Sequence, residues 1–290
     1  MNLALIERIK KLAIVALVSD DYLMEQLVLK GGNAIDLAYQ ISGRASMDLD
    51  FSIPQDFDKN ELHRIKDTVR TALTEIYKQE GLILFDFKFS EQPARIGKIN
   101  KTPFWGGYVI EFKLIAETLY EQCSSNIEAL RKKSTPIDSG GKRKLRIDIS
   151  KFEFCGGKEA KQIEGYTVYV YTTEMIVLEK IRTICQQHPE YRKIVKSHAA
   201  SARARDFFDI YTVMQTFPVD FDKPATKELL RAIFDAKNVP LRLIHEVASQ
   251  KGFHSTDYPS LRDTVKEGVE LQPFDYYFDY VVGLLQSINI

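Results

Sequence analysis

Arg44-Ala-Ser-Met-Asp-Leu-Asp-Phe-Ser52 is the stretch on which the fold turns. Asp48 and Asp50 are two residues apart. In an extended strand residues i and i+2 share a face. The two carboxylates are therefore expected side by side, with Leu49 and Phe51 turned the other way into a core. Like charges that close destabilise one another unless a cation neutralises them. A third carboxylate, Asp148, lies in a second alternating segment, Leu145-Arg-Ile-Asp-Ile-Ser150. Upstream, the apolar strand Leu27-Val-Leu-Lys30 runs into Gly31-Gly32, and a helix is predicted from Asn33 to Tyr39 with Asn33 as its N-cap. A glycine turn lets backbone N–H groups approach phosphate oxygens. Mg²⁺ takes hard oxygen ligands from few carboxylates and completes its shell with substrate phosphates. Asp48, Asp50 and Asp148 are thus expected to hold Mg²⁺, clamp a triphosphate and activate a hydroxyl for in-line attack on the α-phosphorus.

Working outward, residues 3–19 and 21–26 read as helical. Residues 59–79 carry Leu62, Ile65, Val69, Leu73 and Ile76 at three- and four-residue spacing, one apolar helical face. Residues 82–89 alternate, with Ile83, Phe85, Phe87 and Phe89 expected on one side, and so do Tyr108 to Ala116. Residues 134–144, holding Pro136, Gly140 and Gly141, read as a loop. The Asp148 strand follows, then a Gly156-Gly157 turn and a strand at Tyr166 to Tyr171. From Thr173 helical periodicity dominates, over about 173–186, 189–197, 204–216, 225–236, 239–250, 258–268 and 273–288. An α+β fold is expected, a sheet-containing domain at 1–170 and an all-helical domain at 171–290.

At 290 residues, two domains is the ordinary expectation. Net charge is zero, so only local clustering points to a polyanionic partner. Residues 180–205 hold Lys180, Arg182, Arg192, Lys193, Lys196, Arg203 and Arg205 against Glu190 alone. Lys142, Arg143, Lys144 and Arg146 form a second cluster just before Asp148. A charge run is usually a solvated face. Two of them beside one candidate site suit a phosphodiester backbone, and Tyr191 within the larger cluster is expected to stack a base. Glu7, Arg8 and Lys10 interrupt the N-terminal apolar run, which excludes a signal peptide, and no 18-residue apolar stretch spans a membrane. Cys123, Cys155 and Cys185 lack CxxC spacing and suit reduced thiols in a cytoplasm. No histidine pair has metal-ligand spacing. The last twenty residues, with Phe274, Tyr276, Tyr277, Phe278 and Tyr280 and no Lys or Arg, read as a packing helix or a protein–protein surface.

Leu29-Lys-Gly-Gly-Asn-Ala34 followed by Arg44-x-Ser-x-Asp-Leu-Asp-Phe51 resembles the AbiEii/AbiGii toxin family of the nucleotidyltransferase superfamily. Tyr171-x-x-Glu174-x-x-x-x-Glu179-Lys180-Ile181 and Ala204-Arg205-Asp206-Phe-Phe-Asp209 are similar to its later motifs. Asn33 stands where the family has Thr or Ser, and fourteen residues separate it from Asp48, a long interval for the superfamily. The resemblance implies a nucleotidyltransferase-like mixed sheet flanked by helices. It implies catalytic roles for Asp48, Asp50, Asp148, Lys180 and Asp206 or Asp209, and nucleotide contacts from Gly31, Gly32, Asn33, Ser46 and Lys180. It implies Mg-dependent transfer of an NMP from an NTP to a hydroxyl, with RNA, specifically a tRNA 3′ end, as the acceptor suited to the basic clusters. It also implies a toxin paired with a separate antitoxin protein, in toxin–antitoxin or phage-defence systems. The rivals are a protein or small-molecule acceptor, an NTP-binding regulator with little turnover, and a nucleic-acid-binding module. The last leaves the aspartate trio unexplained.

Overall fold

The computed structural model describes residues 3–41, 43–46, 48–93, 102–137 and 140–289. Its centre is a seven-stranded mixed sheet in the order β3-β4-β5-β2-β1-β7-β6. The strands are β1 Val28–Lys30, β2 Leu49–Ser52, β3 Leu82–Gln92, β4 Gly107–Ala116, β5 Leu145–Ser150, β6 Glu159–Ile163 and β7 Tyr166–Val170. β2 pairs antiparallel with β1 and parallel with β5, while β1 pairs parallel with β7. Alternation decides the faces. Leu49 and Phe51 of β2 and Leu145, Ile147 and Ile149 of β5 are buried, and Asp50, Arg146 and Asp148 point the other way.

The buried side of the sheet is covered by the helices Leu3–Val18 and Leu62–Gln79. Ile65, Val69, Leu73 and Tyr77 are the buried positions of the second helix. Four-residue spacing puts them on one stripe, and each large side chain so buried contributes about 1.5–3 kcal/mol. Tyr77 completes the contact by donating its hydroxyl to the Ile9 carbonyl at 2.8 Å. The apolar cluster runs without a break from Ile9 to Ile288, joining the sheet to the C-terminal helices.

Among those helices, Thr173–Cys185 lies deepest, with every residue from Met175 to Arg182 buried, and Thr172 caps it by accepting the Met175 N–H. Ala204–Thr216 buries Ala204, Phe207, Phe208, Ile210, Val213 and Met214, and Pro224–Asp235 buries Leu230, Ile233 and Phe234. Phe274–Ser287 is a packing helix, with Phe274, Tyr277, Phe278, Val281 and Leu285 inside. Among the described residues no helix is long and apolar enough to cross a membrane.

Several expectations need correction. β3 does not keep one face: its pairing with β4 shifts between Phe85 and Lys88, and Asp86 takes φ 51°. That bulge reverses the side-chain alternation. Ile83 and Phe85 therefore pack with Ile115, Cys123 and Leu130, whereas Phe87 and Phe89 pack on the main core. The helix after the glycine turn starts earlier, at Gly31–Asn33, and continues as a π-helix over Ala34–Ala38, so Asn33 lies inside it and caps nothing. Glu117–Cys123, Ile127–Lys133, Lys251–Ser255 and β6 carried too short a pattern to be read. The 189–197 and 258–268 segments shrink to Tyr191–Ile194 and Tyr258–Arg262, and 239–250 splits into Leu243–Glu246 and the 3₁₀ turn Val247–Gln250.

Candidate active site

The register of three adjacent strands assembles the site. Lys30 stands opposite Asp50 across β1 and β2, and Asp50 stands beside Asp148 across β2 and β5. The chain turns away at Gly31, whose φ is +67° and whose absent Cβ would sit 3.0 Å from Asp50 Oδ2. Glycine is needed there both for the left-handed backbone and for the space. Above the turn lies a cleft of about 760 Å³, walled by the sheet ends on one side and by the helices Thr173–Cys185 and Ala204–Thr216 on the other.

The three carboxylates meet this cleft differently. Asp48 lies just outside β2, 43% exposed, with Oδ1 3.0 Å from Lys142 Nζ. Asp148 is gripped by Arg146, whose Nε and Nη2 each donate to one carboxylate oxygen at 2.6 Å. Asp50 lies between. Burial raises its pKa to about 7; Lys30 opposes the rise, and Asp148 and Asp48 add to it. Asp48 and Asp148 are turned to their own cations, and among the described residues no group of three His, Cys, Asp or Glu is placed to hold a metal ion. The backbone positions are adjacent, as expected, but the carboxylate oxygens are not gathered. The donor set still fits a hard divalent cation: oxygen ligands only, like-charged neighbours, and one carboxyl whose ionisation those neighbours oppose.

Asn33 does not face the cleft. It is fully buried beneath the turn; its Nδ2 donates to the Asp48 carbonyl at 2.6 Å and its Oδ1 accepts from Lys10 Nζ at 3.1 Å. Lys10 also donates to the Ser46 carbonyl at 3.0 Å. Asn33 and Lys10 therefore pin the backbone of Asp48 and Ser46 from below, and Gly31, Gly32 and Ser46 line the cleft.

Two ionic clusters tie the helical wall to the sheet. In the first, Lys180 Nζ lies 2.9 Å from Asp206 Oδ1 and 2.7 Å from Asp209 Oδ2. Arg44 donates to both oxygens of Asp209, at 2.7 and 2.5 Å, and Thr183 donates to Asp206 at 3.1 Å. Asp206 lines the cleft, whereas Asp209 is buried behind it as an anchor. Burial alone would lower the Lys180 pKa; Asp206 and Asp209 outweigh it, so it stands above the usual lysine value. Burial would raise Asp206 and Asp209, but Lys180 and the arginines hold both below the usual carboxylate value.

In the second cluster Glu153 and Glu179 are shared by Lys30, at 3.3 and 3.4 Å, and Arg182, at 3.1 and 3.0 Å, with Lys237 3.5 Å from Glu153. Despite burial, the cations hold Glu153 down to about 2, while burial brings Lys237 down to about 8. Three cations over two carboxylates leave a positive floor. Lys30 and Glu179 stood inside the quoted motifs without a role; Glu153 and Lys237 gave no sequence signal, because their partners lie far away in the chain.

The basic clusters divide. Arg203 and Arg205 line the cleft, and Arg192, Lys193 and Lys196 are exposed outside its lining. Lys142 pairs with Asp48, Arg143 donates to the Ser134 carbonyl, and Lys144 lies 3.3 Å from Glu111. Tyr191 stacks no base: it is fully buried, and its hydroxyl donates to the Lys237 carbonyl at 2.8 Å.

No curated protein matches the chain in sequence. A crystal structure of a provisionally assigned nucleotidyltransferase from H. pylori shares its fold, at 17% identity and a TM-score of 0.50, over 98% of this chain and 95% of that one. A second, JHP933 from Helicobacter pylori, has 16% identity and a TM-score of 0.49, over 96% and 89%. The family model for the AbiEii nucleotidyl transferase toxins matches residues 13–280, almost the whole chain. With the carboxylate pair on the sheet and the Lys180–Asp206 pair facing the same cleft, the chain belongs to the AbiEii family, nucleotidyltransferase toxins of type IV toxin–antitoxin systems.

Proposed function

We propose that this nucleotidyltransferase moves an NMP from an NTP to the 3′ hydroxyl of an RNA, with tRNA as the target, Mg²⁺ as its cation and a separate antitoxin as its genetic partner, in a role that includes phage defence. The observation that carries this reading is the convergence of Asp50 and Asp148 from the sheet with Lys180 and Asp206 from the helices on one cleft. Residues 1–170 are taken as the unit supplying the carboxylates, and residues 171–290 as the unit supplying the lysine. The free, buried Cys123, Cys155 and Cys185 accord with a reducing cytoplasm.

Asp48, Asp50 and Asp148 would hold the cation. When bound, it supplies charge neutralisation to the triphosphate and acidity to the attacking hydroxyl. The residues of the chain do the rest. The Gly31-Gly32 turn offers backbone N–H groups to phosphate oxygens. An ammonium has three donors. Lys180 spends two on Asp206 and Asp209 and presents the third to the triphosphate. Asp148, oriented by Arg146, accepts the proton of the hydroxyl as its oxygen attacks the α-phosphorus. The bond to the β-phosphate oxygen breaks, and pyrophosphate leaves. Arg203 and Arg205 at the cleft wall suit the incoming RNA backbone.

The test is incubation with total cell RNA, Mg²⁺ and each labelled NTP in turn, with products sized on a gel. Label entering a tRNA-sized band, and lost with Asp50→Asn, supports the reading. Label on protein or a small molecule overturns the RNA acceptor, and turnover that survives EDTA overturns the cation.

A further inference from the structure

One end of the cleft carries an aromatic side chain that the transfer chemistry leaves unused. Trp105, the single tryptophan of the chain, is half-buried and lines the cleft. Its ring stands edge-on to His198, with centroids 5.6 Å apart, and tilted to Tyr191 at 6.3 Å. Lys237 Nζ lies 5.7 Å from the ring centroid. The backing is rigid. Tyr191 is fully buried, accepts from Gln186 Nε2 at 3.1 Å and donates to the Lys237 carbonyl at 2.8 Å. Lys237 in turn donates from Nζ to the Phe104 carbonyl at 3.3 Å and to the Lys151 carbonyl at 2.5 Å. The indole is therefore held in place before any ligand arrives.

Its position relative to the carboxylates is set by β4. Val109 stands directly across from Asp148. Trp105 is four residues earlier, and four residues of chain reach at most about 14 Å. The path is pressed against β5: a Cβ on Gly107 would lie 2.2 Å from the Ile149 carbonyl oxygen. The indole is thus within the reach of one nucleotide from the carboxylates. Gln186 and Ser197 line the same end and offer neutral donors and acceptors. Arg203 and Arg205, which also line the cleft, offer charge, which suits a backbone and not a base.

We propose that Trp105 is the stacking platform for the base of the incoming nucleoside triphosphate, an assignment that rests on the transferase reading above. Base-on-indole stacking tolerates any base, because every base has a π-face. Trp105 therefore contributes affinity, and its polar neighbours contribute whatever base preference exists.

The single indole makes the test direct. ATP, CTP, GTP and UTP with Mg²⁺ are titrated against the native protein, with melting temperature and tryptophan emission read in parallel. Inorganic tripolyphosphate serves as the probe that lacks a base. The expected result is a rise in melting temperature together with altered indole emission for at least one NTP, and no emission change for tripolyphosphate. Trp105→Ala is expected to weaken NTP binding on the order of tenfold or more while leaving tripolyphosphate binding unchanged, and Trp105→Phe to restore most of the affinity. An NTP that raises the melting temperature without touching indole emission overturns the platform and leaves the transferase reading standing. So does emission that responds to RNA and not to NTP. Equal weakening of NTP and tripolyphosphate in Trp105→Ala makes Trp105 structural. If no nucleotide raises the melting temperature, the transferase reading fails with it. Should Trp105→Ala not fold, emission from the native protein still decides.

Discussion

The two walls of the cleft hold their charges in opposite ways. On the sheet side, the pair Asp48 with Lys142 is 43% and 40% exposed, and the pair Asp148 with Arg146 is 29% and 39% exposed. On the helical side, Lys180 and Asp209 are each 5% exposed, and Arg44, which reaches them from the segment before β2, is 8% exposed. Exposed pairs are worth about 0–1 kcal/mol and exchange partners readily. Removing one member of a buried pair costs about 3–5 kcal/mol, because the other charge is left stranded. The sheet wall is therefore built to let go of its counter-cations. The helical wall is built to stay put, and Asp206 and Asp209 favour the charged form of Lys180. A transferase needs both: carboxylates free to take a new partner and a lysine that never leaves.

That contrast predicts an order of effects. The largest is on activity. Asp50→Asn is expected to cut transfer at least about a hundred-fold while the melting transition survives. Loss of the fold would instead give Asp50 a structural role. Next is Arg44→Ala, which leaves buried Asp209 with Lys180 as its remaining cation; a stability loss of about 3 kcal/mol in urea unfolding is expected, and a loss below 1 kcal/mol would show the helical wall to be as loose as the sheet wall.

Acid should strike the helical wall through His254. It is fully buried, its Nδ1 accepts the Arg203 N–H at 3.2 Å, and its ring packs 5.1 Å from Phe207. Burial lowers its pKa to about 4; Asp206 and Asp257 oppose that, and Arg203 adds to it. Between about pH 6.5 and pH 4 the unfolded chain binds a proton that the folded chain refuses. Stability present above pH 6.5 is then lost as pH falls, by about 3 kcal/mol in all. Asp50, held at about 7, acts in the opposite sense over the same range, so the check is the stability of His254→Phe relative to the native protein, which should move by about 3 kcal/mol in the variant's favour as pH falls from about 6.5 to about 4. The smallest effect belongs to the sheet wall. Lys142→Ala is expected to shift stability by less than about 1 kcal/mol, and a larger loss would erase the contrast between the walls.

Much of the site could be read from spacing. Asp50 and Asp148 could be placed because strand alternation is a local rule that both segments obey, and Lys180 and Asp206 because they lie in motifs that a resemblance can match. What spacing could not show was which charges meet. Asn33 read as a cap or a phosphate ligand, and burial made it a brace under the Asp48 backbone. Tyr191 read as a stacking ring, and burial turned it into the support behind Trp105. Which of Asp206 and Asp209 lines the cleft was invisible in two residues of one helix: Asp206 does, while Asp209 is held by Arg44, more than 160 residues away in the chain.

By itself the amino-acid order determined the sheet-then-helix layout, the glycine turn and the rows of alternating carboxylates, because these follow from periods of two and of three to four residues along the backbone. Only the tertiary structure decided which aspartate faces the cleft, which cation each one holds, and that a tryptophan outside every motif lines the same cleft. Those outcomes depend on burial and on distances between residues remote in the chain, and electrostatic energies are set by such distances and not by neighbours in sequence.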